Sequence, residues 1–119
     1  MIEVSYSVHL RNAAEPIVMT GLQVGRFALR DTRGGKTLGR PVRAYAVDHV
    51  PTGKMMCDFT RYDHALAFAD DISRFALHDP VGPSATELIH QLGPLIVRWL
   101  TACLAADNYA PFRDFTAWP

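Results

Sequence analysis

The chain has 119 residues, of which 49% are hydrophobic and 20% charged. Those ordinary globular values exclude disorder over most of its length and predict a single domain, residues 1–119. Formal net charge is zero and the pI near 7.0, so the molecule as a whole exerts no long-range pull on nucleic acid or anionic lipid.

Ile2, Val4, Tyr6, Val8 and Leu10 alternate with Glu3, Ser5, Ser7 and His9, the period-two pattern of a strand with one dry face. No basic residue precedes Arg11 and no long apolar run follows Met1, so no secretory signal is expected and the expected location is cytoplasmic. After a turn at Arg11 to Pro16, Ile17 to Leu29 reads as one second strand. Gly21 and Gly25 predict a bulge or bend within it, which would account for the shift of apolar parity from Leu22 and Val24 to Phe27 and Leu29.

Asp31 to Gly39 carries three glycines and no apolar period and is expected as an exposed loop. Its Gly35-Lys36-Thr37 matches the end of a phosphate-binding loop, but Arg30 stands where the first glycine is required and no helix follows, which argues against nucleotide hydrolysis.

The clearest folding unit runs from Pro41 to Leu77. Val42 to Val50 alternates as a strand, Pro51-Thr52-Gly53 suits a tight turn, and Lys54 to Phe59 returns. Tyr45, Val47 and His49 are expected on the buried face. Thr60 is the expected N-cap of a helix from Arg61 to Leu77, whose Leu66, Phe68, Ala69, Ile72 and Phe75 recur at threes and fours, while Asp63, Asp70 and Asp71 lie mostly off that stripe and read as a solvated face. His78-Asp79-Pro80 stops it. The run His49 to Gly53 with its alanine-rich helix resembles hairpin-and-helix pieces of small proteins of bacterial mobile elements, a resemblance that implies no chemistry.

Ser84-Ala85-Thr86-Glu87 matches a capping box opening a second helix. Gly93-Pro94 should kink or divide that helix. Beyond it the helix is apolar almost all round, and the whole apolar stretch from Leu92 to Ala106, about fifteen residues, falls short of a bilayer span of about twenty. Such a helix needs more cover than a small sheet provides, so either the aromatic tail (Tyr109, Phe112, Phe115, Trp118) folds over it or another chain does. Strands followed by helices predict an α+β fold, a four-stranded antiparallel meander with two helices packed on one face.

Three functional expectations follow. The first is a noncatalytic binding or assembly protein that forms a homodimer or binds a protein partner through Leu92, Leu95, Ile96, Trp99, Leu100, Phe112, Phe115 and Trp118. The second is a nucleic-acid binder, because Arg26, Arg30, Arg33, Lys36, Arg40 and Arg43 form the one charge asymmetry in the chain, with Asp31 the only acid among them. The bland reading is a solvated arm that keeps a sheet edge from aggregating. The third is a small enzyme in which His49 and Asp58 face each other across the hairpin. The five histidines show no metal-ligand spacing, so no metal, cofactor or membrane contact is expected. Cys57 and Cys103 read as core thiols.

Overall fold

The computed structural model describes residues 2–8, 15–32, 36–37, 40–41, 43–75 and 86–112, without the side chains at 36–37, 40–41 and 86–89. The expected capping box at Ser84, the helix stop at Pro80, and Phe115 and Trp118 lie outside the described residues.

The first strand, β1, is Glu3–Val8. The expected second strand is in fact two, β2 (Ile17–Val24) and β3 (Phe27–Asp31), with Val24 opposite Phe27. Gly25, at φ 61°, occupies the first central position of the two-residue turn between them. A turn of two residues, not a bulge, therefore produces the change of apolar parity. The segment expected to be wholly loop, Asp31 to Gly39, contains the short strand β4 (Lys36–Thr37), which pairs with β5 (Arg40–Pro41) just beyond it.

Next come β6 (Tyr45–His49) and β7 (Lys54–Phe59), joined by the expected turn with Gly53 at φ 67°. Among the described residues β1, β2, β3, β6 and β7 form one antiparallel sheet in that order. It has five strands, not four.

Helix α1 spans Tyr62–Ile72 and helix α2 Thr86–Ala106. Arg61, not Thr60, is the N-cap of α1 and makes no side-chain cap bond, because Thr60 is engaged elsewhere. Gly93, at φ 73° and ψ 166°, breaks the helical path within α2. The Gly93-Pro94 signal thus marks a sharp kink between two segments.

Opposed strand residues share a face, so the register sorts the sheet. One face carries Leu22, Val24, Phe27, Leu29, Val47, Cys57 and Phe59, and the two helices pack on it with Phe68, Ile72, Leu92, Trp99 and Cys103. Trp99 is fully buried, stacked on Phe68 at 4.8 Å between ring centroids and met edge-on by Phe75 and Phe112. Its Nε1 donates to Ala110 O at 2.8 Å.

The opposite face was expected to be wet along β6, yet Ala46 and Asp48 there are fully buried, as are Tyr6, Val8, Ala28 and Arg30 nearly so. A β-bulge between Val47 and Asp48 also resets β7, pairing Asp48 with Met55 and His49 with Lys54.

Candidate functional site

The buried face of the sheet away from the helices is organised on Asp48. Its Oδ2 accepts from Tyr6 Oη at 2.7 Å and from Arg30 Nε at 2.7 Å, and its Oδ1 accepts from Arg30 Nη2 at 3.3 Å. Arg30 and Asp48 are diagonal neighbours on β3 and β6, where long side chains reach each other.

Tyr6 comes from β1, three strand intervals of about 4.8 Å away in a flat sheet. Its hydroxyl can meet Asp48 only if the sheet curls toward this face, and Gly21, Ala28 and Ala46 keep the intervening surface low. A Cβ on Gly21 would lie 2.8 Å from Leu29 O and 3.1 Å from the Tyr6 hydroxyl. Gly21→Ala is therefore expected to destabilise the fold by about 1–3 kcal/mol, read from the urea midpoint, because the first clash is with backbone that cannot swing aside.

Burial, reinforced by the Asp48 charge, pushes the Tyr6 hydroxyl well above the ordinary phenol range. Burial works against the Arg30 charge, but Asp48 outweighs it and the guanidinium is held above its usual value. The arrangement is a sealed, mutually satisfied ion pair with a phenol donor. It can tie three strands, β1, β3 and β6, together across the sheet; with Asp48 fully buried it presents no lone pair to a substrate.

A second polar knot joins β7 to the end of α2. Arg43 donates its backbone N–H to Asp58 Oδ2 at 2.9 Å and its Nη1 to Leu104 O at 2.6 Å, and its Nε lies 3.8 Å from Asp107 Oδ1. Thr60 donates its N–H to Asp107 Oδ1 at 2.9 Å and its hydroxyl to Oδ2 at 2.6 Å. Burial alone would raise the Asp107 carboxyl, yet the Thr60 hydrogen bonds and the Arg43 charge hold it below the usual range.

The basic segment is dispersed by these contacts. Arg30 and Arg43 are engaged inside the chain, and Arg26 is exposed at the β2–β3 turn. Arg33 and the side chains of Lys36 and Arg40 lie outside the described residues. The expected His49–Asp58 pairing does not form: His49 stands opposite Phe27, on the helix face, with its ring nitrogen Nδ1 2.9 Å from Thr52 Oγ1. Asp58 stands opposite Ala46, on the other face. A sheet lies between them.

Of the expected interface residues, Leu92 and Trp99 belong to the chain's own core, and Ile96, Leu100 and Phe112 pack against it half-buried. Leu95 remains 42% exposed. Asp71, read from sequence as part of a solvated helix face, accepts from Tyr109 Oη at 2.9 Å and Phe112 N at 2.8 Å and so ties the segment after α2 to α1. Sequence reasoning missed both Asp71 and the Asp48 centre. The available signal was a charged residue directly after an apolar run in each of two strands, Arg30 after Phe27-Ala28-Leu29 and Asp48 after Ala46-Val47.

Burial raises the thiols of both Cys57 and Cys103, as befits core residues and not nucleophiles. Among the described residues no three His, Cys, Asp or Glu side chains gather as a metal site, and no helix is long and apolar enough to cross a membrane.

These features define a small α+β domain: a curled antiparallel sheet with two helices on one face and a sealed ion pair on the other. Comparison with protein-family models, with curated proteins and with solved structures yields no match.

Proposed function

We propose that the chain is a noncatalytic binding or assembly protein, associating with a protein partner or a second copy through the outer side of α2 and the segment that follows it. The observation that supports this reading is the position of Leu95 and Val97, 42% and 36% exposed, on a helix whose inner side is already filled by Leu92, Trp99 and Cys103. Pro94 is exposed beside them. The core does not use these side chains; two residues apart, they flank its buried stripe on either side of the helix, and large apolar side chains left exposed around a filled inner side are what a further contact would cover.

The test is Leu95→Lys with Val97→Lys. Neither side chain is in the core, so the fold is expected to survive, with unchanged circular dichroism and urea midpoint. Association, followed by sedimentation of the protein alone and by retention of cellular proteins on an immobilised column, is expected to weaken at least tenfold. Equal association by the wild type and the double variant would overturn the reading.

A further inference from the structure

The two edges of the sheet are treated differently. At one edge β7 begins with Lys54, carries a bulge opposite Val47 and Asp48, and lies against α2. Those are devices that keep a strand from recruiting another. At the other edge β1 reads Glu-Val-Ser-Tyr-Ser-Val, without lysine, proline or bulge, in unbroken register with β2. Among the described residues it pairs with β2 alone.

The ladder shows which groups of β1 face outward. Gln23 N donates to Ile2 O at 2.7 Å, so Ile2 and Gln23 form a hydrogen-bonded pair. Such pairs alternate along an antiparallel ladder, so Val4, Tyr6 and Val8 also turn their N–H and C=O toward β2. Glu3, Ser5 and Ser7 turn theirs away from it, and all three residues are exposed.

We infer that β1 is a self-pairing edge, at which two copies of the chain join antiparallel about a two-fold axis at Ser5 to continue one sheet through both. This rests on the assembly reading above and names the partner and one contact for it. The register follows from three requirements. Faces must match across the junction, the outward-turned groups must meet, and all three of them must be used. Only the pairing of Glu3 with Ser7, Ser5 with Ser5 and Ser7 with Glu3 across the two copies meets all three.

The charge pattern fits the same register. Glu3, the single charge on the strand, falls opposite serine, whereas a slip that placed Glu3 opposite its own copy would cost affinity. Ile2, 72% exposed, comes opposite Val8 of the second copy. Strand addition of this kind takes its affinity from main-chain hydrogen bonds and its register from alternate side chains. One strand buries less than a standard interface does, so the dimer is weak and concentration-dependent.

Ser5→Cys and Ser5→Pro test this on the full chain. Directly opposed hydrogen-bonded residues lie about 5.5 Å apart at Cα, within disulfide reach. Ser5→Cys is therefore expected to give a covalent dimer on mild oxidation. Ser7→Cys is expected not to, since Ser7 and its copy lie about 14 Å apart in this register. The native Cys57 and Cys103 are buried and do not compete.

Proline is tolerated on an edge strand where its missing N–H would face outward. Ser5→Pro should keep the circular dichroism of the wild type and sediment as a monomer at concentrations where the wild type dimerises. A wild type monomeric at every concentration overturns the inference, as does equal linking by Ser5→Cys and Ser7→Cys, or a dimer that Ser5→Pro leaves intact. In that last case association that responds instead to Leu95→Lys with Val97→Lys would leave the assembly reading standing and place the contact on α2.

Discussion

Asp48→Ala is expected to remove roughly 3–5 kcal/mol of stability, measured as a lowered urea midpoint at unchanged slope, because it leaves the Arg30 guanidinium buried with no counter-charge. Arg30 retains only 7% of its side-chain exposure, so water cannot replace the carboxylate without opening the sheet. Few domains have more than about 5–15 kcal/mol in reserve, and the variant is expected to be partly unfolded near body temperature. Replacing both partners, Arg30→Met with Asp48→Leu, should recover most of the loss, since apolar side chains of similar volume need no pairing. A double variant as unstable as Asp48→Ala would show that the pair does more than satisfy itself.

The same centre sets an alkaline limit. Tyr6 is raised in the folded state by burial and then by Asp48, and Tyr109 by burial and then by Asp71. Groups whose pKa rises on folding contribute stability that is whole below their unfolded pKa, about 10 for tyrosine, and is lost progressively as pH climbs above it. Urea midpoints should therefore begin to fall above about pH 8.5, where unfolding would release the raised Cys57 and Cys103 thiols. They should fall more steeply beyond about pH 10 as the tyrosines join them, that second part being gentler in Tyr6→Phe. Tyr6→Phe should itself be less stable at neutral pH by roughly 1.5–3 kcal/mol, the worth of a hydrogen bond to a charged group.

Trp99→Ala is the second large effect, with an expected loss of about 3–5 kcal/mol. The indole is fully buried, stacked on Phe68, met edge-on by Phe75 and Phe112, and anchored by its N–H on Ala110 O. Truncation opens a cavity among three rings, Phe68 on α1, Phe75 just after it and Phe112 after α2, and leaves Ala110 O without that donor. Trp99→Phe, which keeps most of the volume and loses the N–H, should cost distinctly less. Near-ultraviolet circular dichroism should lose its tryptophan bands in Trp99→Ala before far-ultraviolet intensity falls. If Trp99→Ala were as stable as wild type, this aromatic cluster would not be the mainstay of helix packing.

Much of the architecture is legible in the chain itself. The alternation of Val42 to Val50, of which Tyr45–His49 is strand, the turn at Pro51 to Gly53, the return through Phe59 and the threes and fours of α1 are local signals, each resolved within a few residues. The break at Gly93-Pro94 was equally visible. The chain also carried the β2–β3 hairpin, but its Gly25-Arg26 turn lacks the usual asparagine or aspartate before glycine, so the parity change read as a bulge.

What the local pattern could not determine was which charges would be paired. Arg30 and Arg43 looked like parts of a basic arm, and Asp71 like a solvated acid. Their partners Asp48, Leu104, Tyr109 and Phe112 are far away in the chain, and Tyr6 and Asp48 are separated by 42 residues. Periodicity states which residues share a face, but it does not state what that face meets. The sequence by itself therefore determined the class of fold, the β6–β7–α1 unit and the kink in α2. Only the tertiary structure decided that Trp99 is core while Leu95 is surface, that His49 and Asp58 lie on opposite sides of the sheet, and that among the described residues β1 pairs with β2 alone. Those outcomes depend on the curl of the sheet and the seating of the helices, and both are set by contacts between segments that no short window contains.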